Sequence, residues 1–120
     1  HGHKVLRLYH QTDKAGAEAI KKSHQMIRGS SGMFGGAIYF AETKKDTFHK
    51  AHNKGYMIVA DVFVGKEKTA PNFMSGKFTF HSLYKMGYDS VYAPKGSGAG
   101  APERAVYNYD QVKIIKVYKI

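Results

Sequence analysis

The chain has 120 residues, 42% of them apolar, with a formal net charge of +10 from 19 Lys and Arg against 9 Asp and Glu. This apolar fraction suits one globular domain and excludes a disordered chain, and no stretch approaches the ~18 uninterrupted apolar residues of a membrane helix. Because the chain has no cysteine, disulfides, a thiolate nucleophile and cysteine-ligated metal centres are also excluded.

The first predicted elements are a strand and a helix. Residues 4–10 predict a strand, because Leu6 and Leu8 on one face alternate with Val5, Arg7 and Tyr9 on the other. Either Thr12 or Asp13 can cap the helix that follows, because both side chains accept hydrogen bonds from free backbone N–H groups. We expect this helix to run to about residue 25, with a buried face formed by Ala15, Ala19 and Ile20.

A glycine-rich segment separates this helix from the next strand. Residues 28–36 contain four glycines and predict a loop, and the apolar run at residues 37–41 predicts a short strand. Thr43, with Asp46 three residues later, resembles a capping box with Asp in place of Glu. We therefore expect a second helix from this point to about residue 53.

The second half of the chain predicts strands separated by loops. Residues 56–64 are the clearest strand, because alternate residues are apolar on one face. Strands outnumber helices, which predicts an α+β domain with two small packed sheets. The other predicted segments are a loop at 66–80, a helical turn at 81–86, a strand at 88–92, a loop at 94–102, and strands at 104–107 and 112–118.

Three short blocks hold residue types that carry chemistry. Residues 8–12 read Leu-Tyr-His-Gln-Thr, residues 32–42 read Gly-Met-Phe-Gly-Gly-Ala-Ile-Tyr-Phe-Ala-Glu, and residues 102–108 read Pro-Glu-Arg-Ala-Val-Tyr-Asn. In this order and at this spacing the blocks resemble the catalytic domain of the PARP family, most closely its tankyrase-type members. With the strand at 57–66, the resemblance covers nearly the whole chain.

The resemblance implies a fold, a reaction and a catalytic triad. The fold is the ADP-ribosyltransferase fold, with an NAD cleft between two small sheets. The reaction moves ADP-ribose from NAD to a nucleophile, releases nicotinamide and needs no metal. His10 would hydrogen-bond and position the nicotinamide ribose, and Tyr39 would stack on the nicotinamide ring. Glu103 would bond the ribose 2′-hydroxyl and stabilise the positive charge that develops as the glycosidic bond breaks.

The family pattern also implies further NAD contacts. Gln11 stands where the family usually has Gly, and it keeps the backbone N–H and C=O that clamp the carboxamide. Thr47 keeps the hydroxyl of the usual Ser. Lys50 replaces the second Tyr that usually stacks on the nicotinamide ring. The candidates to cover that second face of the ring are Phe48, His49 and Tyr56. The remaining implied contacts are Thr12, Arg28, Gly35, Phe40 and Ala41. For Arg28, a solvent-exposed basic residue without a role in binding is an equal alternative.

The acceptor of ADP-ribose is the least specified part of this hypothesis. We expect transfer of single ADP-ribose units to protein because the chain is minimal, while Glu103 leaves polymer formation open. The charge of +10 also favours a nucleic-acid acceptor. Gln11 and Lys50 suggest a third alternative, a module of the same fold that binds NAD, ADP-ribose or nucleic acid without turnover. We expect a monomer in the cytoplasm or nucleus, with a secreted effector as the alternative.

Overall fold

The computed structural model describes residues 4–26, 37–50, 54–69, 85–94 and 102–120, with only the backbone described for His49 and Lys50. This part of the chain is mostly strand, which confirms the prediction of an α+β domain. Its elements are β1 (Val5–Thr12), α1 (Lys14–Ser23), β2 (Ile38–Ala41), α2 (Lys44–Lys50), β3 (Tyr56–Phe63), β4 (Glu67–Thr69), β5 (Ser90–Ala93), β6 (Glu103–Val106), a 3-10 turn (Tyr109–Gln111) and β7 (Val112–Lys119).

The described strands form one mixed sheet in the order β4-β5-β6-β2-β1-β3-β7. All neighbours are antiparallel except β4 and β5, which are parallel. The prediction of two separate packed sheets is therefore wrong for this part of the chain. A single sheet forms because β1 pairs with β2. Their one pair, Tyr9–Ala41, joins a four-stranded half to a three-stranded half.

The hydrophobic core lies on one face of the sheet, beneath α1. Directly opposite residues of neighbouring strands point to the same face, and successive residues of one strand alternate between faces. Ile20 of α1 packs against the core cluster. Its buried members are Leu8, Met26, Ile38, Phe40, Ile58, Ala60, Val62, Val64, Val106 and Val112. The strand predicted at 56–64 is confirmed, and we call its α1-covered side the core face.

Helix α1 begins where the sequence predicted, and Ile20 packs against the core as expected, but the other two residues of the predicted buried face do not. Asp13 is the N-cap, since its side chain accepts a hydrogen bond from the Gly16 backbone N–H at 2.8 Å. Ala17 is buried, whereas Ala15 and Ala19 are exposed. The close approach of Gly16 to β1 sets the orientation of α1. A Cβ at Gly16 would lie 2.2 Å from Thr12 Oγ1, so the first turn packs tightly against the end of β1 and Ala17 faces inward.

Helix α2 lies over the other face of the sheet, and its predicted cap is confirmed. The Asp46 backbone N–H donates to Thr43 Oγ1 at 3.1 Å. The loop predicted at 66–80 is wrong at its start, because Glu67–Thr69 form β4 alongside β5. The predicted loop at 28–36, residues 70–80 of the longer loop and most of the loop at 94–102 lie outside the described residues.

Candidate functional site

The candidate site lies where β1 and β2 part. Tyr9 pairs with Ala41, and an extended antiparallel ladder would place His10 opposite Phe40 and Gln11 opposite Tyr39. Those pairs do not form. Beyond Tyr9 the two backbones diverge, although β1 continues to Thr12 by pairing with β3 on its other side. The ends of β1 and β2 therefore leave an opening within the sheet, flanked by two of the predicted triad residues.

His10 bridges this opening with its side chain. Its Nδ1 lies 2.8 Å from the carbonyl oxygen of Tyr39, so a side-chain hydrogen bond replaces the missing backbone ladder. The imidazole also meets the Phe40 ring edge-on, with the ring centroids 6.1 Å apart. The His10 ring is thus held in one orientation by a backbone group of β2 and by a core residue.

This hydrogen bond fixes the tautomer of His10. A carbonyl oxygen can only accept, so Nδ1 must carry the proton and donate it. Burial lowers the pKa of His10, and the hydrogen bond to the Tyr39 carbonyl opposes this without reversing it. The imidazole is therefore neutral near pH 7, and its Nε2 is left as a hydrogen-bond acceptor. Such a nitrogen can accept a hydrogen bond from a hydroxyl group of a ligand.

Gln11 presents a second acceptor beneath α2. Thr47 donates its hydroxyl hydrogen to the Lys44 carbonyl at 2.5 Å, so its oxygen must accept from Gln11. This assigns Nε2 as the Gln11 atom 2.9 Å from Thr47 Oγ1. Gln11 is only 3% exposed, and its Oε1 is buried with no hydrogen-bond partner among the residues described. A buried acceptor without a donor is costly, so Oε1 requires an N–H or O–H group from outside the described residues, either from the rest of the chain or from a ligand.

The strand register places Glu103 in line with this junction. Glu103 at the start of β6 is opposite Ala41, which is opposite Tyr9, so the three residues form one row across β6, β2 and β1. Tyr39 is opposite Ala105, two residues further along β6. Tyr39 and Glu103 consequently share the face covered by α2, and both are half-buried.

His10 occupies the opposite position in the pleat. Strand alternation places its Cβ on the core face, with Leu8 and Phe40, whereas Tyr39 and Glu103 lie on the α2 face. The hydrogen bond to the Tyr39 carbonyl draws the imidazole into the gap between β1 and β2. His10 and Tyr39 therefore border the same gap, with His10 entering from the core side, while Glu103 lies across β2 in the adjoining row.

The other predicted contacts divide into two groups. Phe40 and Ala41 are buried in β2, Thr12 is half-buried at the end of β1, and Thr47 holds Gln11. Among the candidates for the second stacking face, Phe48 is exposed on α2, while Tyr56 is opposite Thr12 on the core face. The contacts predicted for Arg28, Gly35 and the side chains of His49 and Lys50 lie outside the described residues.

A buried ion network next to Glu103 was not predicted from the sequence. Arg104 is 8% exposed, donates from Nε to Glu67 Oε1 at 2.6 Å and also bonds Glu42. Glu67 accepts a further bond from Lys4 Nζ at 2.8 Å. The Arg104 guanidinium stacks over the Tyr92 ring, 4.3 Å from its centroid. The network ties β6 to the end of β2 and to β4, and so fixes the strand that carries Glu103.

Comparison of the chain with known protein families found no matching family, and comparison with curated protein sequences found no significant match. The PARP-like assignment therefore stays a prediction that rests on the three sequence blocks. Among the described residues, no helix is long and apolar enough to cross a bilayer. No group of three or more His, Asp or Glu side chains in that part is arranged to hold a metal ion.

Proposed function

We propose that the protein transfers ADP-ribose from NAD to a nucleophile on a macromolecule and releases nicotinamide. The observation that carries this proposal is the parting of β1 and β2 between His10 and Tyr39, with Glu103 in the adjoining row. The proposal is supported by the position of the three predicted triad residues on the neighbouring strands β1, β2 and β6, although more than 60 residues separate Tyr39 from Glu103. The fold proposed for the chain is accordingly the ADP-ribosyltransferase fold.

Two acceptor atoms suit the polar groups of NAD. The neutral His10 offers Nε2 to a ribose hydroxyl, because its Nδ1 is committed to the Tyr39 carbonyl. Gln11 Oε1 is buried, so it would accept from an N–H of the nicotinamide carboxamide after its side chain turns toward the ligand. The His10 ring is held in place before a ligand arrives, which lowers the entropic cost of binding. Tyr39 is proposed to stack on the nicotinamide ring, with the exposed Phe48 as the candidate for the second face.

Glu103 is proposed to supply the electrostatic part of catalysis. NAD supplies a glycosidic bond whose cleavage places positive charge on the ribose. A carboxylate held at the start of β6 stabilises that charge and orients the attacking nucleophile. Arg104, the next residue, lies on the other face and is neutralised by Glu42 and Glu67. The Arg104 guanidinium is therefore committed to those two carboxylates.

The acceptor is proposed to be a protein that receives single ADP-ribose units, with nucleic acid as the second candidate. Incubation of the protein with NAD labelled in its adenosine portion and a cell lysate tests both. Label that protease removes and nuclease leaves identifies a protein acceptor, and the reverse pattern identifies a nucleic acid. Release of nicotinamide is followed in the same samples. No label transfer and no nicotinamide release above the rate without enzyme would contradict the proposal.

A further inference from the structure

Two lysines and two tyrosines form a compact surface on the α2 face of the sheet. Lys44 Nζ lies 5.9 Å from the ring centroid of Tyr9 and 5.4 Å from that of Tyr118, and Lys116 Nζ lies 5.1 Å from the Tyr118 centroid. Both lysines are exposed and both tyrosines are half-buried. We call these four residues the cation–aromatic strip. The mechanism proposed above assigns no role to them.

Strand register fixes the strip relative to Glu103. Tyr9 is opposite Val59 and Val59 is opposite Lys116, so Lys116 lies in the same cross-strand row as Glu103. Four strand spacings of about 4.8 Å separate the two residues, or about 19 Å. Tyr118 is in the neighbouring row, opposite Met57. The strip and Glu103 therefore share one face of the sheet, and α1 covers the other.

Within the described residues, neither lysine of the strip forms an ion pair with a carboxylate. Asp61 lies two residues beyond Val59 on β3 and is paired with Arg7, whose Nε lies 2.5 Å from Asp61 Oδ1. A hydrogen bond to Tyr118 raises the pKa of Lys44, so this amine stays protonated at every physiological pH. The strip thus presents two permanent cations about 5 Å from aromatic rings.

We propose that the cation–aromatic strip binds single-stranded nucleic acid. Lysines spaced between aromatic rings match such a strand, because phosphates meet the ammonium groups while unpaired bases stack on the rings. A duplex would use only the lysines, since its bases are already stacked on one another. An acidic peptide would also use only the lysines. Binding at the strip is independent of the transferase proposal and is tested without NAD.

The test measures binding of a labelled oligothymidylate of about 15 nucleotides by fluorescence anisotropy over a range of salt concentrations. Each phosphate contact to a single strand contributes about 0.7 to the slope of log affinity against log salt. Lys44→Gln combined with Lys116→Gln should therefore lower the slope by about 1.4. Between 1 M and 0.1 M salt, the affinity of this double variant should then rise about 25-fold less than that of the wild type. Tyr118→Leu should weaken binding about tenfold and leave the slope unchanged.

The matched control is Lys21→Gln with Lys22→Gln, which removes the same charge from exposed residues of α1 on the opposite side of the sheet. It should keep the wild-type slope and an affinity within about twofold. Circular dichroism verifies that each variant is folded. An equal loss in the control pair, or an unchanged affinity in Tyr118→Leu, would overturn the proposal. Binding of polyglutamate as tight as that of the oligonucleotide would also overturn it, because the rings would then contribute nothing.

Discussion

Replacement of Arg104 by Leu should destabilise the fold strongly, because the guanidinium neutralises two carboxylates inside the sheet. Arg104 is buried and bonds both Glu67 and Glu42, whose side chains are 15% and 34% exposed. Removing one partner of a buried ion pair costs about 3–5 kcal/mol. Glu67 keeps its bond to Lys4 and Glu42 can turn to water, so we expect the lower limit, about 3 kcal/mol. With an unfolding entropy of about 0.25 kcal/mol/K for a chain of this length, the melting temperature should fall by about 12 °C.

Urea unfolding near pH 7, followed by circular dichroism, measures this loss, and a second variant isolates its cause. Arg104→Leu combined with Glu67→Gln should recover about 1 kcal/mol or more, because the buried charge left behind is removed. Burial raises the pKa of Glu67, but hydrogen bonds from Lys4 and Arg104 outweigh it and leave this pKa lowered. The contribution of the ion pair is therefore present above pH 4.5, the ordinary value, and is lost as pH falls further. The electrostatic account would be refuted if Arg104→Leu lowered the free energy of unfolding by less than about 1 kcal/mol near pH 7. It would also be refuted if the loss were unchanged at acidic pH.

Three further predictions concern the site and α1. His10→Ala and Tyr39→Ala should each weaken NAD binding about three- to tenfold by calorimetry, since each removes one ground-state contact; unchanged affinity in both would count against the pocket. Because the pKa of His10 is lowered by burial, wild-type NAD affinity should be constant at neutral pH and fall as pH drops below 6.5, where protonation removes the Nε2 acceptor. The His10→Ala variant should lack that fall, and a parallel fall would assign it to another group. Asp13→Ala should cost about 1 kcal/mol in thermal unfolding through loss of the α1 N-cap, and no loss would contradict the capping bond to Gly16.

Local signals in the sequence predicted the elements and their caps well. The alternation at residues 56–64 predicted β3, and Asp13 and Thr43 begin the helices as expected. Ile20 was predicted correctly on the buried side of α1, whereas Ala15 and Ala19 were mispredicted because they carry little apolar surface. Contact between Gly16 and Thr12, which periodicity does not report, sets the rotation instead. Strand β4 was missed because Glu67–Thr69 has no apolar alternation and depends on pairing with β5.

Long-range contacts were beyond local reasoning. Arg104 meets Glu67 and Glu42 across 37 and 62 residues of sequence, and no spacing rule connects positions so far apart. The site residues His10, Tyr39 and Glu103 were predicted from the three blocks, whereas their geometry was not. The single pair between β1 and β2, the tautomer of His10 and the lack of a partner for Gln11 Oε1 within the described residues all depend on tertiary structure.

The most direct test of the central claim separates NAD binding from turnover in Glu103→Gln. This change is nearly isosteric and removes the negative charge that we propose stabilises the developing cation. We predict that NAD affinity, measured by calorimetry, is retained while nicotinamide release falls by about 10²–10³. The matched control is Glu18→Gln, which makes the same change at an exposed position of α1 and should keep the wild-type rate. A Glu103→Gln variant that releases nicotinamide as fast as the control would contradict the proposed role of Glu103 and the assignment of the site.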